Sequence, residues 1–187
     1  GKTIFMEKVI EECKELANKI MNEKNPKLKN KDKIAEKIAV AAIVFGDLSN
    51  DRVKDVVFDI NKFLSFEGET GPYLQYTHAR ICSILRKVKK LPDEINYDIF
   101  TDKELEIIKL LERFPYVIEN TLKDYKPHIL ARYLLDLAQL FNAFYVTHPI
   151  LKEKEAIKNA RLTLINSVRI VLKNGLSLLG IEALEEM

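Results

Sequence analysis

Two tyrosines and an arginine recur at helical spacing in the stretch that opens at Tyr73: Tyr73, Tyr76, Thr77 and Arg80, with Ile84 one turn further. Two rings and a guanidinium in that order make a flat surface with hydrogen-bonding edges, a surface on which unpaired bases stack. The stretch closes with Arg86, Lys87, Lys89 and Lys90, cations suited to phosphate oxygens and to the negative end of a helix. On the pattern alone a plainer reading comes first, in which the tyrosines line a core edge or an interface and the basic end is a solvated cap. Phe141, Phe144 and Tyr145, followed by Thr147 and His148, form a second aromatic group whose first reading is core packing at a helix end. Lys154, Lys158, Arg161 and Arg169 run beside an apolar stripe of Ile157, Ala160, Leu164, Val168 and Val171. They read as a solvated face, with sequence-independent phosphate contact as the minor alternative.

Enzyme chemistry has less to stand on. The sequence contains no glycine-rich phosphate loop, no Cys-x-x-Cys and no His-Glu-x-x-His. His78, His128 and His148 are far apart and read as surface or satisfied core imidazoles rather than metal ligands. Cys13 and Cys82 read as small core hydrophobes, and two cysteines are no disulfide framework, so a reducing cytosol is the default. Carboxylates are abundant, yet none pairs into an evident acid/base couple. With 30 basic and 28 acidic side chains the net charge is +2, so any nucleic-acid binding must come from local rather than total charge. No uncharged apolar stretch approaches the roughly 20 residues of a membrane helix, and the amino terminus lacks a secretory signal.

These candidates need elements to hold them. Periodicity predicts a helix over Phe5–Asn22, a polar loop around Pro26, and a second helix from Asp32 to Phe45 that Gly46 stops. Asp55-Val56-Val57-Phe58-Asp59 is β-branched and reads as one short strand. Glu67-Gly68-Glu69-Thr70-Gly71-Pro72 is a turn and a domain boundary, and Pro72 starts a helix over Tyr73–Lys90. Thr101 and Glu104 form a capping box for a helix to about Phe114, which Pro115 interrupts before a short continuation to Lys123. Further helices are expected over His128–Tyr145 and Lys152–Lys173, the last stopped by Asn174-Gly175. The class is mainly all-α: a helical bundle of about five helices, preceded by a small helical connector with one short strand.

Phe66-Glu67-Gly68-Glu69-Thr70-Gly71-Pro72-Tyr73-Leu74-Gln75-Tyr76, followed by His78-Ala79-Arg80, closely resembles the segment that enters the anticodon-binding domain of the arginyl-tRNA synthetase family. Upstream, Ile38 to Asp59, with Asp47-Leu48-Ser49 and Phe58-Asp59, resembles the family's join between catalytic and anticodon domains. Downstream, Tyr133-Leu134-Leu135-Asp136-Leu137-Ala138 and Phe141-Asn142-Ala143-Phe144-Tyr145 are similar to its later bundle helix. Leu178-Leu179-Gly180-Ile181-Glu182 through Met187 resembles its carboxyl terminus, and Gly1-Lys2-Thr3-Ile4 the sequence just after its second catalytic loop. The literal Asp-Ala-Leu-Arg tetrapeptide of the DALR-type domain is absent.

The resemblance implies a class I arginine–tRNA ligase as the parent protein, ATP-dependent and using magnesium. Its Rossmann core would carry a His-Ile-Gly-His-like motif and a Lys-Met-Ser-Lys-Ser-like loop, and neither is in this sequence. It implies a carboxyl-terminal piece, not catalytic alone and without its own cofactor: residues 1–67 a connector, residues 68–187 the anticodon-binding unit. Carried over by position, Tyr73, Tyr76, Arg80, Tyr145 and Met187 lie at the anticodon loop. Arg86, Lys87, Lys89, Lys90, Lys158 and Arg161 are the candidate phosphate contacts. The implied partners are arginine-specific tRNA and the chain's own catalytic domain; a cytoplasmic setting with no membrane is expected, and the oligomeric state is open with a monomer as the default. The rival readings are a helical protein-interaction module and an orphan anticodon-binding-like domain without a catalytic partner.

Overall fold

The computed structural model describes residues 4–92 and 94–187, and the opening Gly1-Lys2-Thr3 lies outside the described residues. Among the described residues the chain forms eight α-helices and a short 3-10 turn at Tyr97–Ile99. The helices are α1 (Met6–Lys24), α2 (Lys31–Leu48), α3 (Ile60–Phe63), α4 (Gly71–Leu85), α5 (Asp102–Glu112), α6 (Phe114–Asp124), α7 (Pro127–Thr147) and α8 (Glu155–Leu178).

Local chemistry accounts for the helix starts. Thr70 Oγ1 accepts from the Tyr73 N–H at 3.1 Å and so caps α4, with Pro72 in the first turn where a missing N–H costs nothing. The Glu104 carboxylate reaches back to the Thr101 N–H at 3.1 Å, the reciprocal bond of a capping box. Pro115 and Pro127 sit in the first turns of α6 and α7.

Helix ends depart from expectation. Gly46 and Gly175, read as stops, lie inside α2 and α8, and the glycines with positive φ are Gly68 and Gly180. Gly46 and Gly175 instead make room for neighbours. A Cβ on Gly46 would meet the Phe63 ring at 2.2 Å, and one on Gly175 would meet Leu134 Cδ2 at 2.4 Å. The stop for α8 is Gly180, at φ 75°. Its N–H donates to the Ser177 carbonyl at 3.0 Å and the Ile181 N–H to the Leu176 carbonyl at 2.9 Å, which is a Schellman closure. Helix α4 ends at Leu85, five residues short of expectation, and the Val88 N–H turns back to the Leu85 carbonyl at 3.1 Å.

The expected strand is absent. Among the described residues none is assigned to a strand, and residues 51–59 have no ladder partner. Val57 is 86% exposed, and Asp59 caps α3 by accepting from the Asn61 and Lys62 N–H groups at 3.0 and 3.2 Å. Local β propensity without a partner to pair with gives extended coil.

Two apolar clusters result. Helices α4 to α8 form the expected five-helix bundle around Leu74, Ile81, Leu134, Phe141, Ile165 and Leu172. A smaller cluster unites α1 and α2 through Cys13, Ala17, Met21, Ile38 and Ala42. The turn at 65–70 separates the connector helices from the bundle in sequence, but packing crosses it in both directions. Ala41 and Phe45 of α2 belong to the large cluster, and Leu184 of the carboxyl-terminal segment belongs to the small one.

Gly175 gives a test of sign. Alanine raises intrinsic helix propensity by up to about 1 kcal/mol over glycine, yet here its methyl enters the space of fully buried Leu134. Gly175→Ala is therefore expected to destabilise the chain by about 1–3 kcal/mol. Urea unfolding checks it, and a stabilised variant contradicts the packing role.

Candidate nucleic-acid interface

Helix α4 buries Leu74, Gln75, Thr77, His78, Ala79, Ile81, Cys82 and Ile84. Tyr73, Tyr76, Arg80 and Ser83 remain at least partly accessible, a stripe at three- and four-residue steps. Thr77 and Ile84, grouped with this face in sequence, point into the core. Tyr76 is 39% exposed and Tyr145, near the end of α7, is 38% exposed. The Arg80 guanidinium lies between them, 4.7 Å from the Tyr76 ring centroid and 5.4 Å from that of Tyr145. Both distances are within cation–π range. Tyr145 also stacks on Phe141 at 6.0 Å with the rings 24° apart, which ties the clamp to the bundle core.

A groove of about 500 Å³ opens beside this clamp. Tyr73, Tyr76 and Arg80 line it from α4, Asn142 from α7, Ile20 and Met21 from α1, and Asn25, Phe66, Glu67 and Met187 complete it. A second hollow of about 410 Å³ shares Tyr76 and Arg80 with the first and is lined also by Arg86, Lys87, Tyr145 and Met187. The five residues Tyr73, Tyr76, Arg80, Tyr145 and Met187, named from sequence, thus line two neighbouring hollows that share Tyr76, Arg80 and Met187.

The carboxyl-terminal segment is held in place by a row of polar side chains. Gln75 Nε2 donates to the Lys37 and Glu182 carbonyls at 3.3 and 2.8 Å. His78 Nδ1 donates to the Leu184 carbonyl at 2.7 Å, the satisfied core imidazole expected of it. Asn25 Nδ2 donates to the Met187 main-chain oxygen at 3.0 Å, and Lys37 pairs with Glu182 at 2.6 Å. Met187 thereby becomes a wall of the groove. Burial pushes the His78 pKa below its ordinary value, against the raising effect of the Leu184 carbonyl.

The proposed phosphate contacts divide. Arg86, Lys87, Lys89 and Lys90 are exposed, and Arg86 and Lys87 border the second hollow. Arg86 also bonds the Glu185 carbonyl and the Glu186 carboxylate, each at 3.2 Å. Lys158 pairs with Glu155 at 2.6 Å, on α8 and outside both hollows. Arg161 requires a correction. It is 8% exposed, its Nε donates to Glu104 at 2.8 Å and its Nη1 to the Pro149 carbonyl at 2.6 Å, and its guanidinium lies 5.6 Å from the Phe144 ring centroid. A charge on an apparently solvated helix face is here a core ion pair joining α5 and α8. Burial raises the Glu104 pKa, but hydrogen bonds from Thr101 and Arg161 outweigh it and hold the carboxyl below its ordinary value.

Sequence reading passed over Asn142, Gln75 and Asn25 as working residues, and it set Thr77 on the exposed face rather than against Asn142. Gln75 carried a signal, because a polar side chain on the core-facing side of a buried helix needs a partner. Asn142 carried one as well, as an amide set among aromatic residues.

Comparison with known proteins matches this sequence and fold. Residues 74–187 match the family model described as DALR anticodon binding domain, and residues 1–60 match that described as tRNA synthetases class I (R), catalytic domain. The chain belongs to the DALR anticodon-binding domain family. Over all 187 residues it is 46% identical to arginine–tRNA ligase 2 of Bacillus anthracis, and it is 47% identical to the arginine–tRNA ligase of Clostridium kluyveri. It spans about a third of the length of these relatives (33% and 34%). The structure of Thermus thermophilus arginyl-tRNA synthetase matches 99% of the chain with a TM-score of 0.96 at 36% identity, over 32% of that protein. The arginyl-tRNA synthetase of Plasmodium falciparum matches 98% with a TM-score of 0.88 at 28% identity, over 34% of its length.

Two outcomes follow. Arg161→Ala strands a buried carboxylate and is expected to cost about 3–5 kcal/mol in denaturant unfolding. Unchanged stability with lost RNA affinity would instead restore Arg161 as a phosphate ligand. For His78, the unfolded chain binds the proton more readily, so stability falls as pH drops below the ordinary value of about 6.5 toward the depressed folded one. A His78→Gln variant should show a flatter stability profile between pH 7 and 5, and an identical slope contradicts the clasp.

Proposed function

We propose that this chain binds the anticodon stem-loop of an arginine-specific tRNA as the carboxyl-terminal part of an arginine–tRNA ligase. It thereby positions the tRNA for ATP-dependent arginylation by a catalytic domain. The observation that carries this reading is the Tyr76–Arg80–Tyr145 clamp standing over a groove walled by Met187. Anticodon bases leave their own stack and lie against the exposed rings, while Arg80 supplies N–H donors to base edges or loop phosphates. Arg86 and Lys87 at the second hollow, with Lys89 and Lys90 further along, fix the loop backbone and set its register. Residues 68–187 are the reading unit. Residues 1–67 are the connector, and through Ile20, Met21 and Asn25 they also supply one wall of the groove.

Family likeness supports the ligand class, and the groove's chemistry supports the mode. The parent protein acts as a cytoplasmic monomer. No described helix is long and apolar enough to cross a membrane. Among the described residues no group of three or more His, Cys, Asp or Glu could hold a metal ion. Nucleotide chemistry belongs to the catalytic part. A protein-interaction module is the less favoured reading, because the exposed face pairs its rings with a guanidinium and a basic turn.

Binding of the chain to arginine tRNA, with an unrelated tRNA as control and at two salt concentrations, tests the proposal. Preferential binding that weakens steeply with salt is expected. Each stacked base is worth roughly 1–3 kcal/mol, so Tyr76→Ala is expected to bind about tenfold or more weakly while keeping its fold. Equal affinity of variant and parent chain would remove Tyr76 from the interface.

A further inference from the structure

We infer that Asn142 is a positioning residue whose amide fixes the Arg80 guanidinium in its aromatic clamp before any RNA arrives. The inference rests on the RNA-binding reading above and names the part on which that site depends. Arg80 Nη1 donates to Asn142 Oδ1 across the α4–α7 interface. At its other end, Asn142 Nδ2 donates to the Tyr73 hydroxyl and to Thr77 Oγ1, both at 2.9 Å. One amide therefore joins three α4 side chains on successive turns.

The proton inventory demands an amide here. A guanidinium only donates, so the end facing Arg80 must be an acceptor. Thr77 Oγ1 spends its single proton on the Tyr73 main-chain carbonyl at 2.9 Å, so the end facing Thr77 must be a donor. Of side chains this short, asparagine alone offers an acceptor and a donor on one planar group. Aspartate has the same shape and only acceptors. It would set a carboxylate oxygen against the Thr77 lone pairs, neutralise Arg80, and bring negative charge to a surface meant for phosphates.

The consequence is preorganisation. An arginine side chain loses rotamer freedom when it is ordered, and binding is stronger when that ordering precedes the ligand. With one N–H fixed by Asn142 and the guanidinium held within cation–π distance of the Tyr76 and Tyr145 rings, the remaining Arg80 donors have a set direction. The Tyr73 hydroxyl accepts from Asn142 and keeps its own proton for the groove.

The test uses the whole 187-residue chain with arginine tRNA as the probe. Asn142→Ala is expected to weaken binding about tenfold, and isosteric Asn142→Asp at least as much. If Asn142 acts through Arg80, adding Asn142→Ala to Arg80→Ala costs little further affinity. Nitrogen relaxation of the Arg80 Nε–H in the RNA-free chain is the second readout. It should report an ordered group in the parent chain and a mobile one in Asn142→Ala, a change that a merely structural role would not produce. Fully additive losses, an equally ordered Arg80 in the variant, or parent-like binding by both Asn142 variants would overturn the role while leaving the RNA reading standing. Failure of the parent chain itself to bind arginine tRNA would overturn the reading beneath it.

Discussion

Burial of α4 on every side but one is the constraint from which the rest follows. Helix α2 covers one flank through Ala41 and Phe45, α7 and α8 cover another, and the carboxyl-terminal segment closes a third over Gln75 and His78. The uncovered stripe holds Tyr73, Tyr76, Arg80 and Ser83. These side chains are therefore displayed from a helix buried on its other sides, where a scaffold can hold a site to a narrow geometry.

The carboxyl-terminal segment makes two halves into one site. Leu184 packs among the side chains of α1 and α2, while Gln75 and His78 of α4 and Asn25 just past α1 fasten the main chain around it and Lys37 of α2 pairs with the Glu182 carboxylate. Met187 thereby joins Tyr76 in lining the groove. Loosening this segment should affect the groove and the packing between connector and bundle together. It also explains why residues ahead of the bundle, Ile20, Met21 and Asn25, take part in a surface that the family pattern assigns to the later helices.

Helix starts were legible because capping is local: Thr70 with Tyr73, and Thr101 with Glu104, are three residues apart. Helix ends were not, because glycine answers two needs. Gly46 and Gly175 yield space to Phe63 and Leu134, neighbours that no local window contains. The strand expected at residues 55–59 failed for the related reason that pairing is non-local. Arg161 was misplaced because its partner Glu104 is 57 positions away, and a basic residue on an amphipathic helix reads as solvated until such a partner is known. The aromatic clamp was the most legible part of the site, since Tyr76 and Arg80 share one helix face. The pattern alone read Tyr145 first as core packing, its place at the site and that of Met187 came from family likeness, and Asn142 needed the α4–α7 crossing to be seen.

Photo-crosslinking states the central claim most directly. An arginine tRNA carrying 4-thiouridine at anticodon-loop positions would be bound to the chain, irradiated, and the crosslinked peptides read by mass spectrometry. Crosslinks at Tyr76, Tyr145 or Met187, reduced by added salt, are the predicted result. Crosslinks confined to surfaces away from this groove would contradict it.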